Sequence, residues 1–312
     1  MHWRTKARLQ NVISKLPNSM SYAAYYWMQR LFGNLRRVSP MTHLGVATST
    51  WKRIQQQSID PRQHIFFEVG TGRVPVVPLG YWLMGAGETV TVDLNPYFKP
   101  NLVIENLQFI SDNEAKVAEL FGDLLIRDRF DELLAYHRRG SFSKSSFLDL
   151  CSINYVAPGD ASATSLQDNS IDFHTSYSVF EHIPPNILSK ILEEGNRIVK
   201  DDGLFLHAID YTDHFAHSDG SISAINFLQY SDDEWDKIAG NRYMYMNRLR
   251  HDDYLQLFEA AGHTMLACKE SIDEQSQSLL KEGKLPLDSR FKTKSLDVLS
   301  ISHGWLVTRY VA

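Results

Sequence analysis

The sequence has few cysteines, no long apolar run and no excess of basic residues. Each of these shortages argues against one class of protein. Two cysteines, Cys151 and Cys268, cannot form a metal-binding framework, and in a reducing compartment we expect them to be buried thiols. There is no run of about 18 apolar residues and no apolar signal-peptide centre, so we expect a cytoplasmic protein without a membrane span. The net charge of −5 argues against general nucleic-acid binding, which needs a basic surface.

One segment departs from this acidic balance. The first 37 residues contain no acidic side chain, and their basic residues are Arg4, Lys6, Arg8, Lys15, Arg30, Arg36 and Arg37. Helical spacing in this segment predicts a helical arm whose charges are solvated. The alternative is a surface for an anionic partner.

A segment in the first third of the chain has the pattern of a strand, a glycine turn, a helix and a second strand. Ile65–Val69 is an almost unbroken apolar run, which is typical of a buried parallel strand. Gly70 and Gly72 follow it, and they allow positive φ angles and the close approach of a ligand. A helix is predicted over Leu79–Met84, and Thr89–Asp93 is predicted as a strand that ends in a carboxylate.

This turn lacks the third glycine of a dinucleotide site, because Val74 and Pro75 stand where it would fall. A Glu-x-Gly-x-Gly turn with an acidic residue ending the next strand resembles motifs I and II of the class I S-adenosylmethionine-dependent methyltransferases, and in particular the type 11-like enzymes that act on small molecules. The alternative is a glycine turn without a ligand. The resemblance implies that S-adenosylmethionine is the methyl donor and that it is bound here by Glu68, Gly70, Thr71, Gly72, Asp93 and Leu94.

Two later segments extend the resemblance. Ile153–Val156 is predicted as a strand, and the Gly-Asp-Ala sequence after it is similar to the third motif, in which Asp160 would accept a hydrogen bond from adenine beside Ala161. Ile171–Ser176 is predicted as the fourth strand, and the resemblance implies that Ser176, at its exposed carboxyl end, also belongs to the donor site. Because ligands bind outside these strand ends in open α/β sheets, we expect the motif regions to converge on one crevice.

The fold class that follows is α/β, with a Rossmann-like, seven-stranded, mostly parallel sheet and helices on both faces. A turn is predicted at Asp201–Gly203. The remaining strand segments are Leu204–Ile209, His263–Ala267, Val298–Ile301 and Gly304–Val311.

One elaborated domain accounts for the chain length, because 43% hydrophobic residues are ample for a core. Residues 1–60 are predicted to be a helical cap and residues 61–312 the methyltransferase domain, with a helical insertion at 94–147 and a lid insertion at 211–247. Within the helical insertion we predict helices over Lys116–Ile126 and Asp128–Tyr136, followed by a polar loop over Ser141–Ser146.

The candidates for catalysis lie after the fourth and fifth strands. His182 is either a general base or a cap of the next helix. The end of the fifth strand and the lid after it carry a cluster of His207, Asp210, Asp213, His214, His217 and Asp219. Three interpretations of this cluster are open: a general base formed by His214 next to Asp213, a divalent-metal site that orients a diol, or a solvated loop. The spacing of these residues matches no metal motif, so no metal ligand is assigned. Further candidates for contacts with a polyhydroxylated substrate are Tyr243, Tyr245, Asn247, Arg248 and Arg250.

These observations predict methyl transfer from S-adenosylmethionine to a small polar acceptor, by O-methylation of a sugar or a secondary metabolite. The alternatives are another nucleophilic transfer, such as aminopropyl transfer, or an NAD-dependent reaction on the same fold. A third alternative is a non-enzymatic protein that binds a partner through its basic N-terminal arm. The expected partner is a small-molecule acceptor, without nucleic acid or a membrane span, and the sequence specifies no oligomeric state.

Overall fold

The computed structural model describes residues 1–36 and 38–311. The chain divides into two compact units, each made of separate chain segments. The core unit contains residues 38–177, Lys190–His207 and 307–311, and the lid unit contains Met1–Arg36, Ser178–Ser189 and Ala208–Leu306. Arg37, one of the basic residues of the predicted arm, lies outside the described residues.

The regular elements are thirteen α-helices and seven strands over residues 1–36 and 38–311. The helices are α1 (Trp3–Ser14), α2 (Asn18–Phe32), α3 (Met41–Gln55), α4 (Val76–Met84), α5 (Pro100–Asp112), α6 (Glu114–Phe121), α7 (Arg127–Arg138), α8 (Lys144–Leu150), α9 (Pro185–Ile198), α10 (Asp232–Ala239), α11 (His251–Ala260), α12 (Glu274–Lys281) and α13 (Leu296–Ser300). The strands are β1 (Ile65–Val69), β2 (Glu88–Val92), β3 (Ile153–Val156), β4 (Ile171–Tyr177), β5 (Val199–Asp210), β6 (His263–Ile272) and β7 (Ile301–Tyr310).

The strands form one seven-stranded sheet in the order β3-β2-β1-β4-β5-β7-β6. Strand β1 pairs in parallel with β2 and β4, and β2 pairs in parallel with β3. This register aligns Glu68 of β1 with Thr91 of β2 and with Thr175 of β4. The predicted fold class is confirmed, and the first four predicted strands lie where the sequence placed them.

Local sequence explains the first half of the sheet. The apolar run of β1 is buried because it lies between two parallel neighbours. Helix α4 begins after Pro75, where a missing N–H costs no helical hydrogen bond, and it ends at Gly85, whose φ of 108° is left-handed. The predicted strand–turn–helix–strand order is therefore confirmed.

The helical insertion differs from the prediction in its boundaries. The structure contains four helices here, α5 to α8, and α5 was not predicted. The predicted polar loop over Ser141–Ser146 is wrong in its second half, since α8 begins at Lys144. Its cap is Ser143, whose Oγ accepts a hydrogen bond from the Ser146 N–H at 3.1 Å.

Two further boundaries correct the prediction. Strand β5 runs through Asp201–Gly203, where a turn was expected, because Gly203 allows close approach to the neighbouring strand: a Cβ there would lie 2.7 Å from the Asp172 carbonyl oxygen. The predicted strand over Val298–Ile301 is wrong, since α13 occupies most of it. The Ser295 hydroxyl caps α13.

The lid unit joins the first two helices to residues after β5. Trp3 of α1 packs against Phe215, and its N–H donates to Asp219 Oδ2 at 2.7 Å. In α2, the Tyr25 ring stacks on Tyr243 with 3.9 Å between centroids. Residues of the predicted 1–60 cap therefore fall in both units, because α3 (Met41–Gln55) belongs to the core unit. Over residues 1–36 and 38–311, no helix combines the length and apolar character needed to cross a bilayer.

Candidate functional site

The turn after β1 is held open by backbone hydrogen bonds. Gly70 has a φ of 92° and donates its N–H to the Val92 carbonyl at 2.8 Å, and Gly72 has a φ of 66° and donates to Asp93 Oδ2 at 2.9 Å. Among the described residues, apart from its two chain neighbours, no atom lies within 4 Å of the position that a Cβ of Gly72 would occupy. The turn therefore presents bare backbone with free space beside it.

Asp93, directly after β2, connects this turn to the next one. Its Oδ1 accepts the Asn95 N–H at 3.0 Å, and its backbone carbonyl accepts the Gly159 N–H at 2.9 Å. Burial raises the pKa of Asp93. The hydrogen bonds from the Asn95 and Gly72 N–H groups and the charge of Arg73 lower it, but burial has the larger effect. A carboxylate has about four acceptor positions. Two of them are occupied here, so Asp93 can still accept hydrogen bonds from a ligand.

Glu68 lies under the turn. The Thr91 hydroxyl donates to Glu68 Oε2 at 2.6 Å and also lies 2.6 Å from the Thr71 hydroxyl. Burial raises the pKa of Glu68 to about 8, since only 5% of the residue is exposed. Glu68 and Thr71 thus belong to a hydrogen-bonded chain that supports the glycine turn, and Leu94, beyond Asp93, is 69% exposed.

Asp160 and Ala161 follow the short strand β3, as predicted. Asp160 accepts hydrogen bonds from the Ser162 N–H at 2.8 Å and the Ser162 hydroxyl at 2.7 Å, both at Oδ1. Its other carboxylate oxygen can accept a hydrogen bond from a ligand, because the residue is exposed. Ala161 is buried.

Ser176 lies at the carboxyl end of β4 and is buried. Its hydroxyl is 2.8 Å from Nδ1 of His207, which lies on β5 in the same unit. The sequence grouped His207 with the acids and histidines of the lid, but the structure pairs it with Ser176. This hydrogen bond fixes the hydroxyl that the sequence assigned to the donor site.

In the lid unit, imidazoles surround Asp210, the last residue of β5. His214 Nε2 lies 3.3 Å and His217 Nε2 lies 3.7 Å from Asp210 Oδ2, and His303 Nε2 lies 3.7 Å from Oδ1. Burial would raise the pKa of Asp210, but the adjacent His214 imidazole and the hydrogen bonds from Thr212 hold it far below its usual range. Asp210, His214 and His217 offer ligand atoms close enough for a divalent ion, and an Asp–His pair can also act as a general base.

Asp213, predicted as the partner of His214, has other partners. Its carboxylate accepts hydrogen bonds from the Phe215 N–H and the Asn226 side-chain amide, each at 2.9 Å. The residue is fully buried, and burial raises its pKa to about 6. The expected pairing is therefore corrected: the carboxylate paired with His214 is Asp210, and Asp213 braces the loop.

His182 lies beside this cluster, with 4.8 Å between its ring centroid and that of His214. Its Nδ1 donates to the Tyr245 carbonyl at 2.8 Å, which leaves a lone pair on Nε2. Burial, with the charge of His214, lowers the pKa of His182 to about 4. Burial also raises the pKa of the neighbouring Glu181 well above its usual value.

The polar residues after the lid have structural partners. Arg248 donates to the carbonyls of Phe227 and Tyr230 at 2.9 and 2.6 Å. Arg250, which is fully buried, donates to three carbonyls, those of Tyr211, Leu299 and Ile301, at 2.6, 3.0 and 2.6 Å. These contacts correct the expectation of substrate contacts from the two arginines. Asn247 likewise donates its amide to the Phe180 and Ile183 carbonyls.

Sequence reasoning missed His303 and passed over Asp210 as the partner of His214. His303 lies on β7, far from the lid in sequence, and no motif marks it. Asp210 could have been found from its position, since the end of a parallel strand is where side chains of a site are expected.

Comparison with known proteins gives one family match and several similar solved structures. Residues 126–207 match the sequence profile of a family described as "Methyltransferase domain". Among solved structures, a putative methyltransferase from Bacillus halodurans is 16% identical with a TM-score of 0.44, and the alignment covers 84% of this chain and 98% of that chain. An S-adenosylmethionine-dependent methyltransferase from Methanosarcina mazei is 12% identical with a TM-score of 0.45, and the alignment covers 83% of this chain and 97% of that chain. No curated protein sequence gives a significant match.

The family match begins in the helical insertion, just before α7, and ends within β5. It therefore covers α7, α8, β3, β4, α9 and most of β5. This match shows that residues 126–207 are similar to a methyltransferase domain.

Proposed function

We propose that this enzyme transfers the methyl group of S-adenosylmethionine to an oxygen atom of a small polar acceptor, a sugar or a secondary metabolite. The observation that carries the proposal is the pair of turns after β1 and β3, where Gly70, Gly72 and Gly159 are hydrogen-bonded to Val92 and Asp93 at the end of β2. The Asp93 carboxylate also has acceptor positions beyond those used by the Gly72 and Asn95 N–H groups. An adenosine ligand carries hydroxyl and amino donors that suit such acceptors.

The chemistry of the core unit fits this donor. Asp93 would accept hydrogen bonds from the ribose hydroxyls, and the bare backbone at Gly72 leaves room for the ligand. Asp160 would accept the adenine amino group beside Ala161. Glu68 and Thr71 would keep the turn in shape, the exposed Leu94 would provide an apolar contact, and Ser176 would lie at the reaction side.

The histidines around Asp210 would supply the base. S-adenosylmethionine supplies an activated methyl group on its sulfonium. An alcohol must lose its proton as its oxygen is methylated, whereas phenols and amines need less help. His214 would accept that proton, and the Asp210 carboxylate at 3.3 Å would stabilise the resulting imidazolium. His182 would accept a hydrogen bond from the acceptor, because its low pKa keeps it neutral near pH 7.

Calorimetric titration with S-adenosylmethionine, S-adenosylhomocysteine and NAD tests the donor site. We expect both adenosyl ligands to bind and NAD not to bind. Asp93→Ala should weaken their binding by about 1–3 kcal/mol, the scale of a lost hydrogen bond to a charged group. Asp131→Ala, which removes an exposed carboxylate from α7, is the control and should bind normally. Binding of NAD alone, or normal binding by Asp93→Ala, would contradict the proposal.

Turnover measurements test the acceptor chemistry. Release of S-adenosylhomocysteine would be followed with panels of sugars, aliphatic alcohols, phenols and amines. We expect activity with hydroxyl acceptors, and we expect His214→Gln to slow it by about 100-fold or more, the usual contribution of a general base. Donor affinity should not change. Activity confined to amines, or full turnover in His214→Gln, would remove the role assigned to this histidine.

A further inference from the structure

A second group of metal-ligating side chains lies elsewhere in the lid unit. His251 opens α11, and Cys268 and Glu270 lie on β6. His251 Nε2 is 3.3 Å from Cys268 Sγ and 2.9 Å from Glu270 Oε1, and Cys268 Sγ is 3.7 Å from Glu270 Oε1. Because Cys268 and Glu270 are two positions apart on a strand, they project from the same face.

The separations suit a tetrahedral metal site. Zinc bonds to sulfur, nitrogen and oxygen are about 2.0–2.3 Å long, which places neighbouring tetrahedral ligand atoms roughly 3.3–3.7 Å apart. The three separations at His251, Cys268 and Glu270 are close to this range. A thiolate and an imidazole also select zinc over magnesium and calcium, which prefer oxygen ligands.

The imidazole of His251 is held in the orientation that a ligand needs. Its Nδ1 lies 3.0 Å from the Tyr211 hydroxyl, and only 3% of the residue is exposed. Gly304 packs against this pair so closely that a Cβ there would lie 3.2 Å from both Nδ1 and the Tyr211 oxygen. Metal-binding histidines usually donate their second ring N–H to such a partner. This contact directs Nε2 of His251 towards Cys268 and Glu270.

We propose that His251, Cys268 and Glu270 bind one Zn²⁺ ion, with the fourth position open to solvent. Cys268 is exposed, which corrects the expectation that both cysteines are buried, and Cys151 is buried as expected. On binding, the Cys268 thiol releases its proton to solvent as the zinc–sulfur bond forms. The ion would join the first residue of α11 to β6. This site is separate from the residues assigned to methyl transfer.

Cobalt(II) is the probe, because a cobalt–thiolate bond gives a charge-transfer absorption band in the near ultraviolet. The full-length chain, stripped with a chelator, should bind cobalt with this band, and Zn²⁺ should displace the cobalt. Cys268→Ser should lose the band and bind Zn²⁺ at least about tenfold more weakly, whereas Cys151→Ser should keep both properties. Tyr211→Phe should keep the band and lose about 10–100-fold in affinity, the usual effect of removing the partner of a ligating histidine.

A second variant distinguishes this site from the histidines around Asp210. The double substitution of His214 and His217 by Ala should leave the thiolate band unchanged. Circular dichroism of each metal-free variant checks that it is folded. The proposal is overturned if cobalt binds the wild-type chain without a thiolate band, if no metal binds, or if folded Cys268→Ser binds Zn²⁺ as tightly as the wild type.

Discussion

Replacing Glu68 by Gln tests the burial of a carboxyl under the glycine turn. Glu68 lies in the middle of the sheet and accepts a hydrogen bond from Thr91. Glutamine keeps an acceptor oxygen for that hydroxyl but cannot ionise. Because burial raises the pKa of Glu68 to about 8, the folded protein holds its proton where an unfolded chain has lost it.

The sign and size of the effect follow from the two pKa values. The pKa of a glutamate carboxyl in an unfolded chain is about 4.3, and each unit of difference between the two pKa values corresponds to about 1.36 kcal/mol. The stabilisation of the fold by the Glu68 proton is therefore fully present below about pH 4. This stabilisation is lost as the pH rises through 8. Between pH 5.5 and pH 8, the wild type should therefore lose about 2–3 kcal/mol of unfolding free energy relative to Glu68→Gln.

Urea denaturation at several pH values, followed by circular dichroism, measures this difference. Glu194→Gln is the control. Hydrogen bonds from Arg197 lower the pKa of Glu194 to about 2, so its stabilising effect is lost only below pH 4.5, and the Glu194→Gln difference should stay constant from pH 5.5 to pH 8. A difference between wild type and Glu68→Gln that is also constant over this range would show that Glu68 ionises normally in the fold.

Three further predictions address the two units. Asp210→Asn should lower turnover by about 100-fold or more with unchanged donor affinity. Asp213→Asn should instead lower the urea midpoint and leave turnover intact. Steady-state kinetics measures the turnover of the two variants, and calorimetry measures their donor affinity. Arg250→Met should cost at least about 3 kcal/mol of unfolding free energy, because it leaves three buried carbonyls without their donor. Gly159→Ala should weaken S-adenosylmethionine binding by about tenfold in a calorimetric titration, because its Cβ would lie 2.7 Å from Val92 Cγ2.

The first half of the sheet could be predicted from local sequence. Strand β1 is a short apolar run that ends in glycine, and Pro75 and Gly85 mark the two ends of α4. Each signal lies within the element that it predicts. The residues proposed for the donor site are also local, since most of them lie at the ends of β1, β2 and β3 and parallel strands bring those ends to one edge.

The missed boundaries depend on contacts that local sequence does not contain. Asp201–Gly203 has the composition of a turn, yet β5 continues through it beside Asp172, whose carboxylate pairs with Lys200 at 2.6 Å. The apolar residues after Leu296 suit a strand or a helix equally, and the cap at Ser295 selects a helix. In both places the secondary structure depends on the contacts that the segment makes in the fold.

The histidines and acids after β5 illustrate the same limit at the level of chemistry. Neighbours in sequence separate in the structure: His207 joins Ser176, Asp213 joins Asn226, and Asp219 accepts the Trp3 N–H. Only part of the cluster surrounds Asp210, and it gains His303 from a distant strand. A dense run of titratable residues therefore indicates the region of the proposed acceptor site, but the proposed base depends on which carboxylate each imidazole reaches. That choice, Asp210 in place of Asp213, distinguishes a general base from a brace in the loop.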